Sequence, residues 1–319
     1  MSLKIVIPGG SGHVGRLLAE SFHDDGHDVV VLGRSPVDVP WRSVVWDAVG
    51  SGPWEKEIDG ADIVINLAGR SVNCRYTREN RKQIMDSRVD STRAVGRAIA
   101  AAASPPRLWL QMSTATIYAH RLDAPNDEAT GIIGGSESGV PESWHFSIEV
   151  AKAWEHALAE PDLPCTRRVA LRAAMVMTPE SEGIFDTLLG IVRRGLGGSS
   201  ASGGQYISWV HGDDFLGAIR WLIGRDDIDG VVNIAAPEPL PNREFMRILR
   251  EAWGAKIGLP STKWMLALGA FIMRTDTELI LKSRRVVPGR LLDTGYTFRY
   301  PTWSAAAIDL CGQWRRQHR

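Results

Sequence analysis

Short runs of β-branched and apolar residues alternate with stretches of helical periodicity through the first half of this chain. The runs are KIVIP, DVVVLGR, SVVW, DIVINLAG and RLWLQMS, and helices are predicted near residues 13–25, 78–103 and 145–160. That alternation predicts a parallel sheet with helices on both faces. The nearly continuous apolar character of DVVVL and DIVINLA indicates strands buried on both sides. Further along, TRRVALRAAMV and VVNIAAP predict two more strands.

The second half of the chain is less regular. GLGGSSASGGQ at 195–205 predicts a mobile loop that either covers a ligand or only connects two elements. The last third is mostly helical, with Pro and Gly punctuation. We therefore expect an α/β, doubly wound domain over residues 1–175, to which strands from about 205–235 return. Residues 176–204 and 236–319 are expected to form a smaller, mostly helical substrate or lid lobe.

Composition narrows the class of protein. The 319 residues contain 37 Lys plus Arg and 37 Asp plus Glu, so no net field attracts a polyanion and nucleic acid is not expected as a partner. Cys74, Cys165 and Cys311 lack metal-ligand spacing and predict free thiols in a reducing cytoplasm. The apolar run WMLALGAFIM at 264–273 is too short to span a bilayer, so no membrane contact is expected.

A glycine-rich turn follows the first predicted strand and opens a helix. In PGGSGHVGRLLAE each glycine has a separate physical reason. Gly9 allows a tight turn, Gly12 allows the backbone to approach a pyrophosphate closely, and Gly15 allows the helix to pack closely against the strand. The amides of residues 11–15 then point at a negative group. This context predicts a bound dinucleotide, against a glycine-rich turn without a ligand. His13 either touches phosphate or is an exposed polar residue.

The end of the second strand indicates which dinucleotide is bound. An NAD enzyme places an acid there for the ribose 2′-hydroxyl, but DVVVLGRSP has Arg34 between Gly33 and Ser35. A guanidinium and a hydroxyl suit a 2′-phosphate, which favours NADP(H) over NAD. The alternative is an ordinary exposed loop arginine.

With GGSGHVG, the arginine after strand two and INLAG closing the fourth strand, the chain resembles an atypical extended short-chain dehydrogenase/reductase with an NAD(P)-binding Rossmann fold. More narrowly it resembles the epimerase-family proteins. The similarity extends over almost the whole chain. The segments that show it are NLAGRSVNCRYTRENRKQIMDSR at 66–88, the Trp-Glu pair at 154–155, RAAMVMTPESEG at 172–183, GLGG and GGQYISWVHGDD within 195–214, NIAAPEPLPNREF at 233–245, and RRVVPGRLLDTGYTFRYP at 284–301.

The resemblance implies a set of cofactor contacts along the sheet edge. It places the pyrophosphate on the loop that carries Gly9, Ser11, Gly12, His13, Val14 and Gly15, the 2′-phosphate at Gly33 and Arg34, the adenosine side at Leu67 and Ala68, further contacts at Gln83 and Arg88, and the nicotinamide near Val176. The alternative for Arg88 is a helix-surface arginine.

One feature of the family is absent. Most short-chain dehydrogenases carry Tyr-x-x-x-Lys on the helix expected at 145–160, where the lysine lowers the pKa of the phenol. Aligning on Glu155 puts that pair at Ser147 and Ala151, and aligning on Phe146 puts the second member at Val150. Lys152 is one residue past Ala151, about 100° around the helix, and two residues past Val150, so it fits neither register.

This helix is predicted to pack rather than to catalyse. Its apolar stripe consists of Phe146, Val150, Trp154 and Leu158, and its solvated face consists of Glu149, Lys152, Glu155 and His156. Ser113 in QMSTATIY matches the family serine that hydrogen-bonds a substrate carbonyl. Tyr118 either reaches a bound substrate or is an ordinary loop tyrosine. Ser113 and Tyr118 are therefore the catalytic candidates.

Two polar clusters have simpler alternatives. His211, Asp213 and Asp214 resemble a metal cluster, but an aspartate before DFLGAIRWLI is more simply a helix N-cap, so no metal is assigned. The arginines at 284, 285 and 290 either bind an anionic substrate or form a solvated basic rim.

The resemblance implies an NADP(H)-dependent oxidoreductase acting on a small carbonyl or nucleotide-sugar-like substrate. Because the Tyr-Lys pair is missing, the alternative is a non-catalytic NADPH-binding regulator or sensor. A nucleotide-sugar epimerase ranks third, since it normally needs a base. By analogy with related dehydrogenases, the chain is a candidate homodimer.

Overall fold

A seven-stranded parallel sheet forms the centre of the protein, in a computed structural model that describes residues 2–141, 144–181, 183–260 and 278–318. The strand order is β10-β6-β5-β4-β1-β2-β3. The strands are β1 (Lys4–Pro8), β2 (Asp28–Gly33), β3 (Arg42–Val45), β4 (Ile63–Asn66), β5 (Leu108–Thr114), β6 (Arg167–Ala173) and β10 (Gly230–Ile234). The predicted doubly wound α/β fold is confirmed.

Helices cover both faces of the sheet and fill the second half of the chain. They are α1 (His13–Asp24), α2 (Glu55–Ile58), α3 (Arg78–Ala101), α4 (His145–Ala159), α5 (Ile184–Arg193), α6 (Gly212–Ile223), α7 (Asn242–Trp253), α8 (Glu278–Leu281), α9 (Gly289–Asp293) and α10 (Trp303–Gln317). A 3-10 turn at Ala115–Ile117 follows β5 directly.

The core shows why these runs become central strands. Along β1, Ile5 and Ile7 pack with Phe215 on one face of the sheet, while Val6 packs with Trp109 on the other. All of these side chains are buried, because successive residues of a strand point to opposite faces and both faces are covered by helices.

The direction of winding reverses between β1 and β4. Strand β1 pairs in parallel with β2 on one side and with β4 on the other, in both cases through Ile5 and Val6. The later strands are added outward from β4, and β3 is added outward from β2. In a parallel sheet of this kind, ligands bind beyond the carboxyl ends of the strands at that reversal. The phosphate loop between β1 and α1 lies there.

The predicted strand TRRVALRAAMV divides into two. Its first part is β6, whereas β7 (Met175–Met177) leaves the sheet and pairs with β9 (Trp209–His211). A second small sheet joins β8 (Tyr206–Ile207) to β11 (Leu240–Pro241). The helices α5, α7 and α10 pack around these strands in a separate cluster centred on Trp303. The proposed domain bounds stay a prediction.

The glycine-rich loop at 195–205 is tied down at several points. The Gly198 amide donates to the Leu259 carbonyl (3.1 Å), and the Ser200 amide donates to the Asn242 side chain (2.7 Å). In this structure it therefore connects α5 to β8 while packing against α7.

No helix within the described part of the chain is long and apolar enough to cross a membrane. The apolar run at 264–273 lies outside the described residues.

Candidate functional site

The three loop glycines differ in what surrounds them. Gly9 has a φ of 78°, and a Cβ there would lie 2.6 Å from the Ala68 amide nitrogen. A Cβ on Gly15 would lie 2.5 Å from the Gly10 Cα. At Gly12 the nearest atom would be the Gly9 carbonyl oxygen, 3.5 Å away. Packing within the protein thus explains Gly9 and Gly15, whereas the space beside Gly12 is open toward the site.

The first turn of α1 contacts the segment that follows β7. The His13 ring shares a hydrogen bond with the Thr178 hydroxyl, and its Nε2 lies 3.5 Å from Glu180 Oε2. Val14 packs against the core cluster of α1 and the sheet. His13 is exposed at the start of α1 and joins the loop to the second half of the chain, and its contact with phosphate stays a prediction.

At the end of β2, Gly33 is buried and Arg34 is exposed. A Cβ on Gly33 would come within 3.1 Å of the Ser11 hydroxyl, so the glycine allows the phosphate loop to lie close to β2. The Arg34 side chain has no hydrogen bond or ion pair with any other described residue. Its guanidinium is therefore exposed to solvent and available to a ligand.

The end of β4 is held by its own polar side chain. The Leu67 amide donates to the Pro8 carbonyl (2.8 Å), and the Ala68 amide donates to Asn66 Oδ1 (3.1 Å). The Asn66 amide group in turn donates to Gln111 Oε1 (2.9 Å). These bonds keep the backbone of residues 67 and 68 against the phosphate loop.

Gln83 and Arg88 meet at one residue, Arg70. The Arg70 guanidinium donates to the Gln83 side chain, while Arg88 Nη1 donates to the Arg70 carbonyl (3.0 Å). The Arg88 guanidinium also lies 5.0 Å from the Trp154 ring centroid. Burial lowers the pKa of Arg88 to about 10, and no described carboxylate pairs with it. A bound anion or polar ligand would compensate that buried charge.

Val176 is half-buried in the middle of β7, opposite Val210 of β9, and packs against the core of the sheet domain. It therefore lies just beyond β6, where the predicted nicotinamide contact requires it. Its contact with a cofactor stays a prediction.

Ser113 and Tyr118 lie in one buried polar network. The Ser113 hydroxyl donates to Glu155 Oε1 (2.6 Å), and the same carboxylate binds Arg172 through two hydrogen bonds (2.8 and 2.7 Å). Arg172 Nη1 donates to the Tyr118 hydroxyl (3.0 Å), which donates to Asn233 Oδ1 (3.0 Å). The network links β5, α4, β6 and β10.

The electrostatics of this network suit a structural role. Burial raises the pKa of Tyr118, whose side chain is 2 % exposed. Burial lowers the pKa of Arg172, but its bonds to Glu155 outweigh that effect and the net shift is upward. The hydroxyls of Ser113 and Tyr118 are both engaged with these partners, and their catalytic role stays a prediction.

The predicted faces of α4 require one correction. The apolar stripe is buried as predicted, and Lys152 is exposed. Glu155 was expected on the solvated face, but its side chain is only 17 % exposed because it pairs with Arg172 beneath the helix. Arg172 is on the neighbouring strand β6, and helical spacing along α4 carries no information about that partner.

A second polar cluster lies where α4 begins. The Ser147 hydroxyl donates to Glu278, Lys282 Nζ donates to the Thr116 carbonyl (2.8 Å), and Arg284 Nε donates to the Thr116 hydroxyl (3.0 Å). Glu278 and Lys282 were missed by sequence reasoning. The available signal was a glutamate and a lysine four residues apart in the otherwise apolar stretch ELILK, which places both on one face of a short helix.

The predicted aspartate N-cap of α6 is wrong, because His211 is the cap. Its Nδ1 accepts from the Asp213 amide (3.0 Å), and its Nε2 lies 3.2 Å from Asp309 Oδ2. Asp214 instead accepts from the amides of Arg299 (2.7 Å) and Tyr300 (2.8 Å). The imidazole nitrogen replaces the expected carboxylate because Asp214 is turned toward the chain before α10.

The three arginines near 285 do not form one patch. Arg284 reaches the turn after β5, whereas Arg285 lies over the Tyr206 ring, 4.4 Å from its centroid. Arg290 Nη1 donates to the Val231 carbonyl (2.7 Å) and to that of Asp229, at the amino end of β10. Arg290 is thus at the opposite edge of the sheet from the phosphate loop, and only Arg284 lies near the site.

Comparison with known proteins agrees with this geometry. Residues 5–235 match the model of the NAD dependent epimerase/dehydratase family, and residues 262–310 match a domain of unknown function, DUF1731. Epimerase family protein SDR39U1 of Mus musculus is 30 % identical over 314 residues, 97 % of this chain and 99 % of its own. Epimerase family protein YfhF of Bacillus subtilis is 26 % identical, covering 93 % and 94 %. The crystal structure of human epimerase family protein SDR39U1 with NADPH superposes with a TM-score of 0.83 at 27 % identity, covering 97 % and 99 %.

Proposed function

This chain belongs to the NAD dependent epimerase/dehydratase family, and we propose that it is an NADP(H)-dependent oxidoreductase acting on a small carbonyl or nucleotide-sugar-like substrate. The observation that carries the proposal is the open space beside Gly12, between two glycines that the protein itself packs closely. The human relative crystallised with NADPH, over nearly the full length of both chains, supports the choice of cofactor.

The residues present fit the proposed cofactor from end to end. Gly12 and the amides at the start of α1 face the pyrophosphate, where the helix dipole favours negative charge. Arg34, which binds no other described side chain, pairs with the 2′-phosphate. Arg88 supplies a second cation whose burial is compensated by the cofactor. The backbone of Leu67 and Ala68 borders the adenosine side.

The bound cofactor supplies a hydride, and the chain supplies position and a dry environment. The nicotinamide end would be held on the β5 and β6 side, by Val176 and the turn at Ala115–Ile117, because ligands of such sheets bind beyond the carboxyl ends of the strands. The buried network of Glu155 and Arg172 fixes α4 against these strands, so the substrate pocket has rigid walls. Within this proposal Ser113 and Tyr118 remain the family's candidates for contact with the substrate oxygen.

A second candidate function is a non-catalytic NADPH-binding regulator. It is favoured by one observation: the hydroxyls of Ser113 and Tyr118 are both occupied by buried partners, and α4 carries Ser147 and Ala151 in place of tyrosine and lysine. A nucleotide-sugar epimerase ranks third, because it also requires a group that takes and returns a proton.

Titration with NADPH and with NADH, followed by quenching of tryptophan fluorescence, tests cofactor binding. We expect NADPH to bind more tightly than NADH. With NADPH bound, a panel of aldehydes, ketones and nucleotide sugars then tests turnover. Oxidation of NADPH by any member supports the oxidoreductase. Binding without turnover across the panel supports the regulator, and failure of both nucleotides to bind refutes the proposal.

A further inference from the structure

A buried ion pair lies at the carboxyl edge of β5, in the segment beyond α7. The side chain of Lys282 is 0 % exposed and that of Glu278 is 1 % exposed, and their Nζ and Oε1 atoms are 3.7 Å apart. Lys282 also donates to the carbonyl of Thr116, two residues beyond the end of β5. Buried pairs of this kind contribute little more to stability than apolar residues of the same size. Their position beside the cofactor edge makes them candidates for chemistry.

Ser147 connects this pair to α4. Its hydroxyl donates to Oε1 of Glu278, the same oxygen that faces Lys282, and the residue is partly exposed. Ser147 also occupies one of the two registers in which the family's catalytic tyrosine would stand. At that position α4 therefore has the Ser147 hydroxyl instead of a phenol. The nearby ammonium group is that of Lys282, which belongs to the C-terminal segment and not to α4.

We propose that Ser147, Glu278 and Lys282 form the proton-transfer chain of the carbonyl reduction, an inference that rests on the proposed function. Ser147 contacts the substrate oxygen. Glu278 lies between Ser147 and Lys282, and Lys282 is the source of the proton. Arg284, bound to the Thr116 hydroxyl, is a positioning residue for the turn that holds Lys282.

The reaction balances without any further reductant. The carbonyl carbon receives a hydride, with its electron pair, from NADPH, and the C=O π pair moves to the oxygen. Lys282 passes a proton to the Glu278 carboxylate, the carboxylic acid so formed passes a proton to Ser147, and Ser147 gives its own proton to the substrate oxygen, so Glu278 ends as the carboxylate it began as. After the product leaves, water at the partly exposed Ser147 returns a proton along the same chain to the buried Lys282 amine. The products are an alcohol and NADP⁺.

The charges around Lys282 set the expected pH dependence. Burial lowers its pKa to about 8; Arg284 acts in the same direction, while Glu278 and Glu137 oppose the shift. His120 accepts from the Ser283 amide (2.8 Å), and burial lowers its pKa as well. A proton donor works only while protonated. We therefore expect kcat to be highest below about pH 8 and to fall as the pH rises through that value.

The test compares Lys282→Met with Lys152→Met in NADPH oxidation driven by para-nitrobenzaldehyde and a panel of other aldehydes and ketones. Lys152 is the matched control, because it is an exposed lysine whose ammonium, among the described residues, donates only to the Gly134 carbonyl (3.0 Å). We expect Lys282→Met to lower kcat roughly a hundred-fold and to abolish the decline near pH 8, with the Kd for NADPH unchanged. Lys152→Met should match the unsubstituted chain.

Three further results complete the test. Ser147→Ala should also lower kcat with NADPH binding intact, and kcat of the unsubstituted chain should fall in D₂O, which a merely structural role would not cause. A flat pH profile of the unsubstituted chain through pH 8, a measurement that needs no variant to fold, overturns this inference alone. So does an unchanged kcat in Lys282→Met. Absence of turnover by the unsubstituted chain overturns the proposed reductase itself, and with it this chain of residues.

Discussion

Gly12→Ala should separate cofactor binding from stability. In the structure the nearest atom to the new methyl group is 3.5 Å away, and the backbone angles of Gly12, φ −75° and ψ 172°, are allowed for alanine. Alanine at the N-cap of α1 costs about 1 kcal/mol, and the smaller entropy of the unfolded chain offsets about 0.4–1 kcal/mol of that. The free energy of unfolding without cofactor should therefore change by no more than about 1 kcal/mol.

Binding should respond very differently, because the methyl group enters the space that the pyrophosphate crosses. We expect the Kd for NADPH to rise at least tenfold, or about 1.4 kcal/mol. At an NADPH concentration of about 100 times the original Kd, the cofactor should stabilise the unsubstituted chain by about 2.7 kcal/mol and Gly12→Ala by about 1.4 kcal/mol or less. Urea unfolding midpoints, measured with and without NADPH, give both quantities.

Gly15→Ala is the control with the opposite signature. Its methyl group would lie 2.5 Å from the Gly10 Cα, and backbone atoms cannot move aside as a flexible side chain does. We expect a loss of about 1–3 kcal/mol in the absence of cofactor. If Gly12→Ala kept the full stabilisation by NADPH, the pyrophosphate would not cross Gly12, and the geometry proposed for the phosphate loop would be refuted.

Three other predictions follow from the described contacts. Arg34→Ala should weaken NADPH binding about tenfold to a hundredfold but leave NADH binding unchanged, because only the 2′-phosphate pairs with this guanidinium; equal losses for both nucleotides in the fluorescence titration would contradict it. Arg172→Met should lower the free energy of unfolding by about 3–5 kcal/mol, since it leaves the buried Glu155 carboxylate without its partner, and in urea unfolding Arg172→Met/Glu155→Leu should recover much of that loss. Burial lowers the pKa of His211 below 6.5, so its neutral ring stabilises the fold above that pH and the contribution is lost as the pH falls below 6.5. His211→Asn keeps a cap acceptor but cannot titrate, and its urea midpoints should fall less steeply with acid; parallel curves would contradict the assignment.

The features that sequence predicted well are those set by local spacing. The phosphate loop is one of them, since Gly9, Gly12 and Gly15 lie within seven residues; packing explains the first and the last, and the space beside Gly12 is open. The strands are another, because burial on both faces leaves an unbroken apolar run that can be read without knowing which strand is the neighbour. Gln83 and Arg88 came from the family resemblance, and the structure brings both to Arg70.

The features that sequence missed depend on partners from distant elements. Glu155 has the spacing of a solvated helix face, and only the neighbouring strand shows that it binds Arg172. The cap of α6 was assigned to an aspartate, but the tertiary contacts of Asp214 with the chain before α10 leave that task to His211. Lys282 is separated from Thr116 by 166 positions in sequence, and no local pattern reports such a contact.

The buried network also bears on which hydroxyl contacts a substrate. A phenol has one proton to donate, and Tyr118 gives it to Asn233 while accepting from Arg172. To donate to a substrate, Tyr118 would have to leave its bond to Asn233 and strand that buried amide oxygen, at a cost of about 1–3 kcal/mol. Ser147 is on the same helix as Glu155, but it is partly exposed. Its hydroxyl donates to the Glu278 carboxylate, which pairs with the Lys282 ammonium. The network of Glu155, Arg172 and Tyr118 therefore holds α4 against the sheet. The start of α4 is fixed as a result, and Glu278 and Lys282 of the C-terminal segment pack against it to form the proposed site.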